Sequence, residues 1–550
     1  MGRRSYSDER CDRTPGSGGT IGVAMRARRE SDGRRWNVRP RPSEETVLSA
    51  HHVDVVREAE RTLMARLPEG ALMRRAATGL ALHCSRALPR VYGSRITLLV
   101  GSGDNGGDAL YAGADLAARG ACVRVVSAGS RIHGGGRDAL LAAGGRILKE
   151  NAASSEEVRS ALSGADLIVD GLVGIGGHGG LREPHASLAD LAEASPAFVI
   201  AVDLPSGVDA DTGEVEGAAV RADATVTFGT YKPGLFVDPG AERAGRVHFV
   251  DIGLAPELPE AALLRPQAVD IARMLPSPSV EDDKYRRGVL AVRAGSDRYP
   301  GAAVLCVGGA LRTGVGMVRF GAGENALARV IARWPETVGL PLDPLDHTDL
   351  GPGRVAAVVV GPGRGTRPSD ADELRALLES DRPVLLDADA LNLLANDGRL
   401  TALVREREAD TLLTPHAGEL SRLLSDVDRS AIEARRLEHA VEAASLYRAT
   451  VLLKGSTTVI AHPGAPSFVS PTGTPLLATA GSGDVLSGAA GALLASGLSA
   501  REAALCAAYV HGRAATLAHD GGPISASDLL EGIPLALREV RAAGRRSRRG

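Results

Sequence analysis

The apolar and polar positions divide the chain into two alternating series. From about residue 46 the spacing is helical, through VLSAHHVDVVREAERTLMARL and then ALMRRAATGLALHCSRAL. Apolar residues recur there every three or four positions, which sets them on one face of a helix. The next run, ITLLVGSGDNGGDALYAGADLAARG, predicts a strand, a glycine turn and a helix, and ACVRVVSAG predicts the following strand. ADLIVDGLVG, AFVIAVDLPSG, ATVTFG and RVHFVDIG predict further strands. Short apolar runs alternating with helical stretches predict a parallel sheet covered on both faces.

Residues 254–283, LAPELPEAALLRPQAVDIARMLPSPSVEDD, are rich in proline and acid, and predict a connection between domains. A second series then begins with GVLAVRAGS and AAVLCVGGALRTGVGMVRFGAG. It continues through VAAVVVGPGRG, RPVLLDADALNLLA, TLLTPHAGEL and ATVLLKGSTTVIA, and helical patterns close the chain. The expected organisation is a disordered Arg- and Gly-rich extension over 1–45 and an α/β domain over 46–255. A linker over 256–280, a second α/β domain over 281–540 and a basic tail over 541–550 complete it. No internal repeat relates the halves, so they read as different folds joined.

The length of 550 residues is too great for one ordinary core and agrees with two domains. A net charge of −3 and 3% aromatic residues exclude a basic nucleic-acid footprint and stacking platforms for single strands. Five cysteines without a C-x-x-C exclude a disulfide framework and a structural zinc site, and point to a reducing cytoplasm. No apolar run reaches the ~18 residues of a membrane span. The first forty residues carry Arg pairs and no apolar segment, unlike a signal peptide. They read as a disordered tail, or as a start assigned too early with Met25 as one alternative.

Only four of the 64 basic residues are lysines: Lys149, Lys232, Lys284 and Lys454. Three lie in glycine-containing turns, YKPG, DKYRRG and LLKGS, and in a chain so biased to arginine a retained lysine suggests a role such as a compact point charge on phosphate.

The candidate chemistry lies at strand ends, where α/β sheets bind ligands. In the first half Asp104, Asn105 and Asp108 crowd the turn VGSGDNGGD, Asp170 ends ADLIVD, and Asp203 ends AFVIAVD. A single such acid is commonly a cap or turn residue. Three strand ends together predict one polar pocket, in which oxygens of Asn105, Asp170 and Ser206 suit a hard cation. The turn differs from the G-x-G-x-x-G dinucleotide fingerprint, and no acid ends the second strand to hold a ribose.

In the second half GPGRG, DADALN, TPHAGE and LLKGS follow successive strands, and TAGSGDVLSG opens a late helix. The N–H groups of its G-S-G turn suit a phosphate, yet Asp484 sits beside them. The two fit together in phosphoryl transfer, where the anion hole holds the moving phosphoryl and the carboxylate orients the acceptor hydroxyl. No Walker A loop is present in the sequence.

Two resemblances follow. GSGDNGGD, VDGLVGIGGHGG, VDLPSGVDADTG and FGTYKPG look like the NAD(P)H-hydrate epimerase domain. That resemblance implies a Rossmann-like three-layer αβα sandwich that interconverts the two C6 epimers of hydrated NADH or NADPH. It implies substrate contacts from Asp104, Asn105, Gly106, Gly107 and Asp108, and from the loop Gly174, Ile175, Gly176, Gly177, His178, Gly179 and Gly180. It also implies substrate binding by Asp203 and a potassium ion held by Asn105, Asp170 and Ser206. Epimerisation needs a hydroxyl to leave and return, or the ring to open and reclose; either route needs an acid/base, and Asp203 is the candidate. The family usually has Asn at the place of Asp104, Gly at Ala109 and an acid at Arg74.

The G-S-G-D turn resembles the ribokinase-like superfamily. The fuller set, with AGSDRYPGAAVLCVGGALRTGVGMV, resembles the ADP-dependent NAD(P)H-hydrate dehydratase. This implies a ribokinase-like α/β domain in which Lys454, Gly455, Ser456, Thr457 and Thr458 lie on ADP and Gly483 near its phosphates. Ala302, Gly363, His416 and Asp484 would contact the hydrate, with Asp484 catalytic. Ala417 stands where that family often has Pro. ADP with magnesium would be the cosubstrate, NADHX and NADPHX the substrates, and a homo-oligomer is expected. The competing reading is a ribokinase-like small-molecule kinase with a non-catalytic nucleotide-binding N-terminal domain.

Overall fold

The computed structural model describes residues 47–129, 131–148, 153–277, 279–341, 350–351, 354–425 and 427–547. The predicted disordered extension over 1–45 lies outside the described residues. The chain divides into two compact units, with the division between Ala261 and Ala262 and the segment Glu44–Ser49 counted with the second. The first strand, β1 (Leu48–Ala50), stands at one edge of the larger sheet. The helical spacing read from residue 46 is therefore overridden at its start by strand pairing, and the helix begins at Val53 and runs to Met64.

The first unit is built on β2 (Arg95–Val100), β3 (Cys122–Ser127), β4 (Arg146–Ile147), β5 (Leu167–Gly171), β6 (Phe198–Val202), β7 (Ala224–Phe228) and β8 (Arg246–Val250). They form a fully parallel sheet in the order β4-β3-β2-β5-β6-β7-β8. Alternate residues go to opposite faces, as the pleat requires. Leu98, Val100, Val169 and Val202 join one core with the helices Val53–Met64, Ala71–Ala87 and Asp104–Ala118. Leu99, Ile168, Val199 and Ala201 join the other with the helices Glu156–Ser163 and His185–Ala194. This is the three-layer sandwich that the apolar runs predict. The two-residue strand β4 gave no readable apolar run.

The second unit is built on β9 (Leu263–Arg265), β10 (Val289–Arg293), β11 (Met317–Ala322), β12 (Val338–Pro341) and β13 (Ala357–Val360). It continues with β14 (Val384–Leu386), β15 (Thr411–Leu413), β16 (Thr450–Leu453), β17 (Val459–His462) and β18 (Ala465–Val469). The sheet order is β1-β9-β18-β17-β16-β15-β14-β13-β10-β11-β12. The stretch from β16 to β12 is parallel, and β16, β17 and β18 form an antiparallel meander.

Two ends of the predicted organisation need correction. Residues 256–280 are not a bare linker: β9 pairs with β18, and the helix Ala268–Met274 buries Ile271 in the second core. Proline and acid hid them, because Asp270 caps its own short helix while Leu263 and Ile271 supply the buried contacts. Likewise 541–547 is no separate tail but the last turns of the helix Ala526–Ser547.

The helix Ser482–Ala495 runs through this core and is buried from Val485 to Ala495. It packs on the helix Pro300–Thr313 without side chains between the backbones. A Cβ on Gly488 would lie 1.9 Å from the carbonyl oxygen of Cys306, and one on Gly309 2.3 Å from that of Val485. That contact fixes the height of the G-S-G-D turn at the helix start. Gly488→Ala is expected to push the helices apart and cost about 1–3 kcal/mol, read as a lower denaturant midpoint; an unchanged midpoint would show that the contact is not rigid.

Candidate active sites

The first sheet reverses its strand order between β2 and β5, so the loops leaving these two strands diverge and open a crevice at their carboxyl ends. Asn105 enters it from the start of the helix Asp104–Ala118 and donates from Nδ2 to the Val202 carbonyl at 2.9 Å. Asp170 is the last residue but one of β5 and is fully buried. Its carboxylate accepts from Ser206 N at 2.8 Å, Ser206 Oγ at 2.6 Å and Leu172 N at 3.2 Å. Among the described residues no Lys or Arg pairs with it, and burial lifts its pKa to about 6 against those hydrogen bonds. The three residues predicted to hold a cation are thus gathered at one place.

Asp203 follows β6 with φ of +62°, a conformation that a non-glycine residue rarely holds. Its main chain is pinned by Asp203 N to Val226 O at 2.8 Å. Lys232 Nζ, Thr227 Oγ1 at 2.9 Å and Phe228 N at 3.1 Å all donate to Oδ1 of Asp203. No described donor bonds Oδ2. Lys232 is fully buried, so its ammonium and the Asp203 carboxylate compensate each other.

The loop 174–180 divides. Gly174 lies against Asn105, and Gly176 against the Arg57 guanidinium, where added Cβ atoms would fall 3.0 and 3.1 Å away. Ile175 packs on the first core. His178 turns to Asp209 at 3.2 Å, while Gly179 and Gly180 lie against Glu216 and Gly217. Gly177 folds back on Val173. Gly106 and Gly107 form the first helical turn, with Met73 and His133 over Gly107.

In the second unit the strand order reverses between β13 and β10, and the polar residues again collect at the carboxyl ends. After β13 the GPGRG turn passes Gly361, whose φ is +122° and whose Cβ would lie 1.9 Å from the Asp387 carbonyl. Gly363 meets Ala302, its Cβ position 2.8 Å from the Ala302 methyl. Below the turn Glu373 is buried between Arg293 at 3.4 Å and Arg364 at 2.7 Å. After β14 Asp387 accepts from Lys454 Nζ at 2.8 Å on one oxygen and from Ser487 Oγ at 2.7 Å on the other. Lys454 follows β16 and bridges to His416 after β15, with Lys454 N donating to Pro415 O at 2.8 Å. Its Nζ also lies 3.8 Å from Glu419. Burial alone would lower the Lys454 pKa, but Asp387 and Glu419 hold it above the ordinary value.

His416 caps the helix Ala417–Leu423, accepting at Nδ1 from Gly418 N at 3.0 Å. Gly455 lies against the buried Arg436 guanidinium, Ser456 is exposed and Thr457 buried. Thr458 O accepts from Ser470 N at 3.0 Å. Gly483 faces Lys454 Nζ, 3.5 Å from its Cβ position. Burial, reinforced by Asp387 and opposed by Lys454, lifts Asp484 to about 7. An anion-binding helix start, a lysine and a carboxyl poised near neutrality therefore share one strand-end cleft, the equipment for moving a phosphoryl group onto a hydroxyl.

Sequence reasoning singled out Lys232, Asp203 and Lys454 but not Asp387, the partner of Lys454. Asp387 lay in plain view within DADALN, and its place after a buried strand was the available signal. Ser487 and Glu419 lay inside TAGSGDVLSG and TPHAGE but, like Arg436, looked like ordinary polar positions on a helix.

Residues 290–534 match the family model of NAD(P)H-hydrate dehydratase, and residues 69–234 that of the YjeF-related protein N-terminus. The bifunctional NAD(P)H-hydrate repair enzyme Nnr of Mycobacterium leprae is 46% identical over 502 residues, 88% of this chain and 98% of its own length. Its counterpart from Mycobacterium tuberculosis is 46% identical over 461 residues, 82% of this chain and 90% of its own. A solved ADP/ATP-dependent NAD(P)H-hydrate dehydratase from Bacillus subtilis, co-crystallised with ATP and Mg2+, is 30% identical with a TM-score of 0.45, covering 50% of this chain and 97% of that one. Two family models in this order, and relatives matched over nearly their whole length, show that the chain belongs to the bifunctional NAD(P)H-hydrate repair enzymes.

Proposed function

We propose that the chain repairs hydrated nicotinamide nucleotides in two steps. The first unit interconverts the R and S epimers of NADHX and NADPHX. The second dehydrates the S form to NADH or NADPH with ADP as the phosphoryl donor, leaving AMP and phosphate. The observation that carries this reading is a whole-length match to the bifunctional enzymes in which each half keeps its own polar cleft at its strand ends.

In the second unit Asp484 takes the proton of the C6 hydroxyl as that oxygen bonds the terminal phosphorus of ADP and the bond to AMP breaks. Phosphate then leaves C6 and a neighbouring proton is lost, which restores the dihydronicotinamide. The helix-start N–H groups around Gly483 and the Lys454 ammonium face the phosphates. Lys454, Gly455, Ser456, Thr457 and Thr458 line the nucleotide, with magnesium accompanying it. Ala302, Gly363 and His416 border the hydrate.

In the first unit Asp203 is the acid/base toward the C6 oxygen, and residues 104–108 with the 174–180 loop border the hydrate. A potassium ion fits Asn105, Asp170 and Ser206, because Asp170 is a buried carboxylate without a cationic side chain beside an amide and a hydroxyl oxygen. When bound, that ion supplies a fixed positive charge at the crevice floor. The reading carries with it a cytoplasmic homo-oligomer.

A mixed-epimer NADHX preparation, given the protein, ADP and potassium, is expected to return NADH absorbance in full and faster than spontaneous epimerisation allows. Recovery that stops at the S fraction would leave the first unit a binding module. A stable phosphorylated product would favour a kinase. Asp484→Asn is expected to lower dehydration by about 100-fold or more while calorimetry still detects nucleotide; equal loss of both would make Asp484 structural. In the wild type, kcat/KM for dehydration should rise with pH through about 7, as Asp484 loses its proton and becomes a base. A profile flat from about pH 5 to about pH 8, a range that lies above the ordinary Asp value of about 4, would show that no base of raised pKa limits the reaction and would remove this role from Asp484.

A further inference from the structure

The acids around Lys232 outnumber the bases. Asp203 is bound to Lys232 directly. Asp104 and Asp108 stand on the first turns of the helix Asp104–Ala118. A fourth acid, Glu60, comes from the helix Val53–Met64, and its charged neighbours are Lys232, Asp203, Asp104 and Arg57. Arg57, one turn earlier on the same helix, reaches the 174–180 loop at Gly176. This helix is therefore a wall of the epimerase crevice, although none of its residues was expected there.

Four carboxyls share this pocket with one buried ammonium and the Arg57 guanidinium, and like charges brought into one pocket favour a proton on one of them. The location of that proton is legible. Asp203 has an ammonium, a hydroxyl and an N–H on Oδ1 and is the best-stabilised anion. Asp108 is buried, and its Oδ1 has no hydrogen-bond partner among the described residues. A buried carboxylate without a donor is the costliest place for a charge, while a buried carboxylic acid there has a proton to give. Burial, with Asp203, Asp104 and Glu60 nearby, holds the Asp108 pKa well above the usual carboxylate range. Glu60 is raised as well, first by burial and then by Asp203 and Asp104, against Lys232 and Arg57.

Resting on the epimerase reading, we propose that Asp108 is the general acid of the first unit and Glu60 the residue that keeps it loaded, opposite Asp203 as the general base. For departure and return of the hydroxyl, Asp108 gives its proton to the C6 oxygen, the C6–O bond breaks and water leaves. The ring nitrogen lone pair stabilises the cation. Water then adds to the other face, the C6–O bond re-forms, and Asp203 Oδ2 takes the proton. The proton returns from Asp203 to Asp108 within the cluster, so the cycle consumes nothing. Ring opening and reclosure also needs one donor and one acceptor at this oxygen. Two carboxyls in one site whose surroundings favour opposite protonation states supply such a pair.

The test measures conversion of R-NADHX by the full-length protein across pH, normalised to the dehydration rate of S-NADHX in the same preparation. The alkaline limb of epimerase kcat/KM reports the proton on Asp108. Glu60→Gln removes an acid that helps to hold it, so that limb should move to lower pH and kcat should fall about tenfold, with Glu60→Asp restoring most of both. Asp108→Asn should lower epimerisation by about 100-fold or more. A lower rate with an unmoved alkaline limb would make Glu60 merely structural and overturn its role. Wild-type behaviour of Asp108→Asn would overturn the acid. Wild-type protein that converts R-NADHX no faster than buffer would sink the epimerase reading itself, and this assignment with it.

Discussion

A parallel strand covered on both faces keeps a charge most readily at its end. The polar residues of both clefts follow that constraint, while Arg319 inside β11 is buried with its guanidinium donating to the Leu350 and Gly351 carbonyls. In the first unit Asp170 is the last residue but one of β5, and Asp203 and Lys232 follow β6 and β7; in the second Asp387, His416 and Lys454 follow β14, β15 and β16. The strands themselves are mostly Val, Ile, Leu and Ala, with buried threonines such as Thr225, Thr227, Thr411 and Thr450, and are packed against helices with almost no exposure. Binding chemistry collects at one edge of each sheet because the cores leave little room for it elsewhere.

Bringing charges to a half-buried edge raises a second demand, since each must be paired or neutral. Each unit meets it with one lysine and one aspartate: Lys232 with Asp203, Lys454 with Asp387. The acids left over are lifted toward neutrality, Asp484 to about 7 in one unit and Asp108 well above its ordinary range in the other. The pairing that stabilises the fold thus also decides which carboxyls can exchange protons near neutral pH. In each unit a carboxyl without a lysine hydrogen-bonded to it, Asp484 in one and Asp108 in the other, is lifted well above its ordinary range.

Much of this was legible in the sequence because it rests on local pattern. Continuous apolar runs ended by Gly, Asp or Asn marked nearly every central strand, and the G-S-G-D turn announced a helix start. Features that depend on distant partners were not legible. β9 and the helix Ala268–Met274 hid in a proline-rich stretch because their burial comes from β18 and the helix Ala526–Ser547, far along the chain. β1 read as helix because three residues pair with a sheet that local spacing does not describe. Glu60 was invisible for the same reason: on a helix of period 3.6 it is one more surface acid, until the fold turns it toward Lys232.

The scarcity of lysine now has a physical account. At Asp203 an ammonium, a hydroxyl and a backbone N–H converge on the single oxygen Oδ1. At Asp387 the lysine takes one oxygen and Ser487 the other. A guanidinium offers a planar fork that matches both oxygens of one carboxylate, so an arginine would compete for the oxygen that the serine holds, or cover the one Asp203 leaves open. Beneath the GPGRG turn, where Arg293 is buried, Glu373 lies between two guanidinium groups: Oε2 accepts from Arg364 Nε at 2.7 Å, and Oε1 stands 3.4 Å from Arg293 Nε as an ion pair rather than a hydrogen bond. At both lysine sites the ammonium occupies one carboxylate oxygen and leaves the other to a different donor, as at Asp387, or open, as at Asp203.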